Sequence, residues 1–275
     1  MMEVFIPKTI SELLPNIDNE KRRISAGCTD ITVALRSNKY ICKPTIDITE
    51  IAELKEILEK KDRIYIGCNV TLSEICENDL IKKDFKVLVD AVKTIGSPQI
   101  RNRATLAGNV QNASPSGDGT LALVLLEASI VLRSLRGARE VLVEDFILGA
   151  GKTDLKNDEF IEYIVLNKAY RDYSSYFEKV GLRGAMVISV ASMGALINAE
   201  ERVIKDIRLV FGAVAPKILR LKEAEEFLKG KKLEEKTLKE AGDIIGKSVT
   251  PIDDLRASAE YRRTVCRNLI LRLWE

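Results

Sequence analysis

The sequence predicts an α+β chain in two parts: a strand-and-helix N-terminal domain, then a smaller C-terminal domain of antiparallel sheet plus helices. Short strand patterns alternate with helical patterns up to about residue 170, and longer alternating stretches with a hairpin turn take over from there. The chain then closes on two amphipathic helices and a terminal helix. The boundary is placed near residue 170, giving a first domain over 1–170, with subdomains of about 1–55 and 56–170, and a second over 171–275. At 275 residues, 46% apolar and 31% charged, the chain supplies enough apolar surface for both cores.

The opening "EVFIPK" reads as a short strand, followed by a helix over 9–14. "KRRISAG" is a second strand, and "CTDITVALRSN" is a loop turning into a helix capped near Thr29 or Asp30. "TIDIT" is a third strand. A helix or turn then leads to the buried strand "RIYIG" and to a helix with Thr71 or Ser73 as cap and Glu74 in its first turn. Residues 79–95 carry a helical pattern through Leu80, Phe85, Leu88, Val89, Val92 and Ile95. After a stretch of small and polar residues, 121–129 reads as helix and "SIVLRS" and "AREVLVEDF" as strands. "EFIEYIVL", "SSYFEKVG" and 187–214 read as antiparallel strands, with a turn at 198–201. The closing helices are predicted over 221–229, 233–247 and "SAEYRRTVCRNLILRLW".

Several function classes are excluded by composition. The 43 basic and 41 acidic side chains leave a net charge of +2, which implies no general attraction to nucleic acid or membrane. The longest apolar runs are too short to cross a bilayer and the first residues do not read as a signal peptide, so a cytoplasmic protein is expected. Five widely spaced cysteines (Cys28, Cys42, Cys68, Cys76, Cys266) with no C-x-x-C pair read as reduced thiols, not as metal-cluster ligands. Histidine is absent, which removes Ser-His-Asp and Cys-His catalysis and His-based metal sites. A catalytic role would need a cofactor to bring the chemistry.

Two segments have the character of a site. In "SAGCTD", 25–30, a strand ends, the chain passes through small residues and a helix begins, a geometry that exposes backbone N–H groups and a positive helix end to an anion. In "TLAGNVQNASPSGDG", 105–119, Thr105, Asn109, Asn112, Ser114 and Ser116 offer hydrogen bonds, and Gly108 permits close backbone approach. Asp118 would accept from a ribose hydroxyl. Neither G-x-G-x-x-G nor G-x-x-x-x-G-K-[ST] occurs. Taken alone, Lys179 reads as a surface lysine, Arg101 and Arg103 as salt-bridging residues at the loop base, and Tyr261 and Arg262 as packing and pairing on the last helix.

The segments "AGCTD", "IGSPQIRNRATLAGN…ASPSGDG", "SYFEKVGLRGAMVISV" and "SAEYRRTV" occur in an order that resembles the FAD-binding medium subunit of the molybdenum hydroxylases, the group of xanthine, carbon monoxide and nicotinate dehydrogenases. The resemblance covers nearly the whole chain. It implies a two-subdomain FAD-binding domain of the vanillyl-alcohol-oxidase (PCMH-like) type, followed by the C-terminal domain. It places Ala26, Gly27, Cys28, Thr29 and Asp30 on the FAD pyrophosphate, with Thr105, Gly108 and Asn109 facing it from the second loop. It places Ser114 and Asp118 around the ribose and the dinucleotide linker, Lys179 near the isoalloxazine, Ile161 in the flavin pocket, and Ile95 and Gly96 where backbone approaches the flavin. The family usually has glycine where this chain has Cys28 and Ala107, a change costing on the order of 1 kcal/mol wherever positive φ is needed.

By the same resemblance, no metal binds this chain. Its partners are a molybdopterin-binding large subunit, a small subunit with two [2Fe–2S] clusters, and an acceptor such as NAD+. The alternatives are a stand-alone flavin reductase on the related FAD fold and a structural subunit that has lost FAD, separable by the visible spectrum of the purified chain.

Overall fold

The computed structural model describes residues 3–18, 20–37 and 43–274, so Cys42 lies outside the described residues. The first layer is a small parallel sheet in the order β1–β3–β2, formed by β1 (Val4–Phe5), β2 (Arg23–Ser25) and β3 (Thr45–Asp47). Two helices connect its strands, α1 (Ile10–Leu13), capped by Thr9, and α2 (Thr29–Arg36). The second layer is an antiparallel sheet in the order β4–β5–β10–β6–β7, comprising β4 (Ile57–Lys60), β5 (Arg63–Gly67), β6 (Ser129–Ser134), β7 (Gly137–Leu142) and β10 (Phe160–Asn167). A short two-stranded ribbon of β8 (Ile147–Gly149) and β9 (Lys152–Thr153) flanks it. The third layer is antiparallel in chain order, β11 (Ser174–Val180), β12 (Ala191–Glu200), β13 (Val203–Gly212) and β14 (Leu219–Arg220).

Six of the remaining helices lie between β5 and β6: α3 (Leu72–Glu77), α4 (Asp79–Asp84), α5 (Lys86–Lys93), α6 (Pro98–Arg101), α7 (Leu106–Gln111) and α8 (Asp118–Leu125), with the one-turn α9 (Val143–Phe146) following β7. Three helices close the chain, α10 (Lys222–Leu228), α11 (Glu235–Ser248) and α12 (Ala259–Leu269). Thr71 caps α3 in a reciprocal capping box with Glu74, as that sequence pattern dictates. The helical pattern over 79–95 is broken at Phe85, where φ is −138° and the buried ring turns the chain from α4 into α5. β4 has no counterpart in the expected helix or turn: Ile57 and Leu58 pair with Ile66 and Tyr65 across the turn at Lys61 and Asp62. The expected strand over 138–146 ends at Leu142, and the helix expected over 121–129 runs instead from Asp118 to Leu125. The hairpin joining β12 and β13 turns on Glu201 and Arg202, both with positive φ (47° and 64°), the geometry that matches strand twist. No helix among the described residues is long and apolar enough to cross a membrane.

Cys68 and Cys266 are buried and their thiols are pushed up by that burial, Cys266 to about 12, whereas Cys28 and Cys76 are partly exposed. Arg262 is buried on α12, where its guanidinium donates to the carbonyls of Val190 (2.6 Å) and Ala213 (3.1 Å) and to Asp254 Oδ1 (2.8 Å).

Helix α8 packs against α5, α7 and α9 and against strands β12 and β13 of the third sheet. Every one of its residues is buried, so it has no solvent face. A Cβ on Gly194 would lie 2.7 Å from Leu121 Cδ2, and one on Gly212 3.2 Å from Leu121 Cδ1, so β12 and β13 press directly on the helix at glycines. Its C-terminal carbonyls are capped from the third sheet: Arg208 on β13, 3% exposed, donates to Leu125 O (2.8 Å), Val124 O (3.2 Å) and Glu127 Oε1 (2.6 Å). Replacing Arg208 with Met is expected to cost about 2–3 kcal/mol, because the buried Leu125 carbonyl loses its donor and the Glu127 carboxylate its cation, while Val124 O keeps the Glu127 amide. Urea denaturation of the purified chain measures it, and an unchanged midpoint would contradict the capping role.

Candidate functional site

Strand β2 delivers the chain to Ser25, residues 26–28 turn, and α2 begins at Thr29. Cys28, not Thr29 or Asp30, is the N-cap residue, and it sits in the left-handed region at φ 58°, ψ 11° with no side-chain cap. The first amide of the helix with a partner is that of Thr32, which donates to Cys28 O at 3.0 Å. The N–H groups of residues 27–31 donate no hydrogen bond among the described residues, although Gly27, Cys28 and Thr29 are only partly exposed and Asp30 is exposed. Consecutive unpaired donors at the positive end of a helix form a site for a phosphate. The positive φ at Cys28 is where the family's glycine would be strain-free, so the cysteine costs on the order of 1 kcal/mol.

The second turn abuts the first. A Cβ on Gly27 would lie 2.0 Å from the Arg103 carbonyl oxygen and 3.0 Å from Ala104 Cα, so only glycine lets the two backbones meet. Ala104 O accepts from Leu72 N at 2.8 Å, which anchors this contact to α3. Thr105 follows as the N-cap of α7, its Oγ1 accepting from Gly108 N at 3.1 Å. Ala107 lies in the body of α7 with its side chain buried, so this departure from glycine demands no positive φ. Gly108 is exposed, and a Cβ there would meet only Thr105 Oγ1, at 3.1 Å.

Asn109 ties the second turn to α8, its Oδ1 accepting from Thr120 N (3.1 Å) and Thr120 Oγ1 (3.2 Å). A Cβ on Gly119 would strike Asn109 Oδ1 and Leu106 Cδ1 at 2.9 Å and approach Ile95 Cδ1 at 3.5 Å, so α7, α8 and the end of α5 meet there. Ser114 closes a local turn, accepting from Ser116 N at 3.3 Å through its hydroxyl and from Gly117 N at 3.0 Å through its carbonyl. Pro115 O accepts from Ala213 N at 2.7 Å, which joins the loop to the third sheet. Gly96 takes φ 53°, and Arg101 Nη1 donates to the carbonyls of Ile95 (3.1 Å) and Gly96 (3.3 Å). Arg101 is therefore a clamp on main chain, not a salt bridge, and Arg103 forms no ion pair among the described residues.

Asp118 and Lys179 face each other. Lys179 Nζ, on β11, lies 2.6 Å from Asp118 Oδ2, with side chains 10% and 3% exposed, and it also donates to Thr94 O at 3.3 Å. Lys179 is thus no surface lysine. Asp118 Oδ1 also accepts from Ser189 Oγ at 2.9 Å, so both oxygens of the carboxylate have partners within the protein. Ile161 is a core residue, 7% exposed, beside the bulge of β10, the strand against which α7 packs. Arg262 pairs and packs as its position suggests, whereas Tyr261 is 51% exposed. Ser189, Thr94 and Thr120 were not singled out by sequence, because lone hydroxyl residues outside a glycine-containing turn carry no pattern.

The turns at 26–30 and 105–109, the start of α8 and the Lys179 ammonium are therefore linked by one chain of contacts, running through Gly27–Arg103, Asn109–Thr120 and Asp118–Lys179. Its donor set of backbone amides, an exposed glycine and a single held ammonium fits a dinucleotide diphosphate attached to a flat ring. Among the described residues, no group of three or more His, Cys, Asp or Glu could hold a metal ion.

Residues 1–167 match the model of the FAD binding domain in molybdopterin dehydrogenase, and residues 175–275 match that of the CO dehydrogenase flavoprotein C-terminal domain. The FAD subunit of nicotinate dehydrogenase from Eubacterium barkeri is 29% identical over 99% of this chain and 94% of its own length. The medium chain of glyceraldehyde dehydrogenase from Sulfolobus acidocaldarius is 30% identical over 94% of this chain and 91% of its own. A solved carbon monoxide dehydrogenase from Hydrogenophaga pseudoflava, lacking the Mo-pyranopterin moiety of its cofactor, superposes with a TM-score of 0.92 at 26% identity, covering 98% of this chain and 95% of that one. This chain belongs to the FAD-binding medium subunits of the molybdenum hydroxylases, an oxidoreductase family, and its cofactor is FAD.

Proposed function

We propose that this chain receives electrons from [2Fe–2S] clusters on a small partner subunit and passes them, as pairs, to an acceptor such as NAD+. Substrate is hydroxylated at a molybdopterin centre on a large partner. The observation that carries the site assignment is the direct backbone contact between the two turns at Gly27 and Arg103, which sets the unpaired amides of 27–31 beside the start of α7. FAD, when bound, supplies the redox chemistry. The amides of Gly27, Cys28, Thr29, Asp30 and Ile31 bind and orient the diphosphate, with Ala26 leading into that turn. Thr105 fixes the start of α7, and Gly108 leaves room for the ligand beside it. Ser114 shapes the loop leading to α8, while Ile95 and Gly96, clamped by Arg101, set the backbone wall next to the ring. Lys179 presents its ammonium to the ring and Asp118 holds it there.

No acid or base is required of this chain, since its part is electron transfer. The domain boundary falls near residue 170, a reading supported by matches that end at 167 and resume at 175. The protein works in the cytoplasm. The pairing with iron–sulfur and molybdopterin subunits is supported by relatives whose own names call them FAD subunits or medium chains.

Gly108→Val is expected to lower FAD affinity by at least tenfold with little loss of stability, because the position is exposed and the added side chain meets only the Thr105 hydroxyl, which must shift by a few tenths of an ångström. The ratio of flavin to protein absorbance and a thermal melt read the two effects separately, and unchanged occupancy would refute the placement of the second turn. Cys28→Gly should stabilise the chain by about 0.5–1 kcal/mol by relieving the left-handed cysteine, with FAD retained. Chemical denaturation checks this; a destabilised variant would mean that the thiol itself is structural. For the acceptor, anaerobic NADH should bleach the flavin absorbance of the purified chain within its complex, and a flavin indifferent to NADH would exclude NAD+.

A further inference from the structure

The Asp118–Lys179 pair is held by groups that neither charge supplies. Thr94 Oγ1 lies 3.3 Å from Asp118 Oδ2 but only 2.8 Å from Ala91 O, and its single hydrogen goes to the nearer acceptor. Ser189 Oγ, by contrast, has Asp118 Oδ1 as its one partner among the described residues, at 2.9 Å, and Ser189 is 1% exposed. The two oxygens of the carboxylate are thus held by different partners, Oδ1 by Ser189 and Oδ2 by Lys179. Lys179 spends one N–H on Asp118 and one on Thr94 O, leaving its third for a ligand. The direction of that third N–H follows from where the carboxylate stands, and the carboxylate stands where Ser189 holds it.

We propose that Ser189 is a positioning residue for the cofactor: without touching FAD, its hydroxyl locks the Asp118 carboxylate and thereby aims Lys179 at the flavin. The proposal rests on the FAD site described above. Ser189 lies two residues before β12, so this hydrogen bond also ties the segment between β11 and β12 to the first residue of α8. A buried charge-assisted hydrogen bond is a strong one, and its loss frees both the carboxylate and the ammonium to rotate.

The test titrates FAD into the full-length apo chain, following flavin fluorescence, for wild type, S189A, S189T, D118N and the double variant S189A/D118N. Ser189→Ala is expected to weaken FAD binding about tenfold, the worth of one such hydrogen bond. Ser189→Thr, which keeps the hydroxyl, should restore most of it. In the D118N background, Ser189→Ala should cost nothing further, since it acts through the carboxylate. If S189A does not fold, S189C, close in size with a weak donor, takes its place and must show the same loss. Wild-type affinity in S189A, or losses that simply add in the double variant, would overturn the proposal. Failure of the wild-type chain to take up FAD would instead overturn the cofactor site on which it rests.

Discussion

Residue 27 must be glycine for the two halves of the site to meet. The Arg103 carbonyl occupies the space a Cβ would need, 2.0 Å away, and it is backbone, so it cannot swing aside as a flexible side chain would. The contact brings the unpaired amides at the start of α2, on a small parallel sheet, against the entry to α7, which belongs to the antiparallel sheet domain. Neither turn alone is more than a strand-to-helix connection of a kind many folds contain. Together they set unpaired main-chain donors beside the start of α7, and main-chain donors, unlike long basic side chains, lose no rotamer freedom when an anion binds.

A second constraint runs through α8. The helix is buried all round, so its polar ends must be satisfied inside the protein. Its first residue, Asp118, places a carboxylate at the positive end and pairs with Lys179, and its last carbonyls receive Arg208. Lys179 and Arg208 both come from the third sheet. Lys179 therefore both docks the C-terminal domain and brings its ammonium to the start of α8, beside the second turn. That arrangement explains why the site is assembled from both parts of a chain whose sequence motifs lie mostly in the first.

The layout of alternating strands and helices followed by an antiparallel meander was legible from periodicity, because the third sheet has long, regular strands with one clear hairpin. β4 was not legible: only two of its residues are apolar, and its charged tail mimics a helix until its partner β5 is considered. The break at Phe85 was equally hidden, since a buried aromatic fits the helical period on either side of the kink. The two turns could be read as anion-binding from their small residues, but their contact could not, because only tertiary structure sets residue 27 on residue 103. Asp118 and Lys179 were each assigned separately; their pairing, 61 residues apart, and the hydroxyl of Ser189 behind it leave no local trace.

The central claim is that main-chain amides of the two turns hold the diphosphate. Amide hydrogen exchange on the full-length chain, resolved to single residues with and without FAD, tests it most directly. The amides of residues 27–31, which have no partner among the described residues, should exchange rapidly in the apo chain and become protected when FAD binds, with smaller protection at 105–109. Saturating FAD that left 27–31 as fast as before would contradict the account, whatever other region became protected.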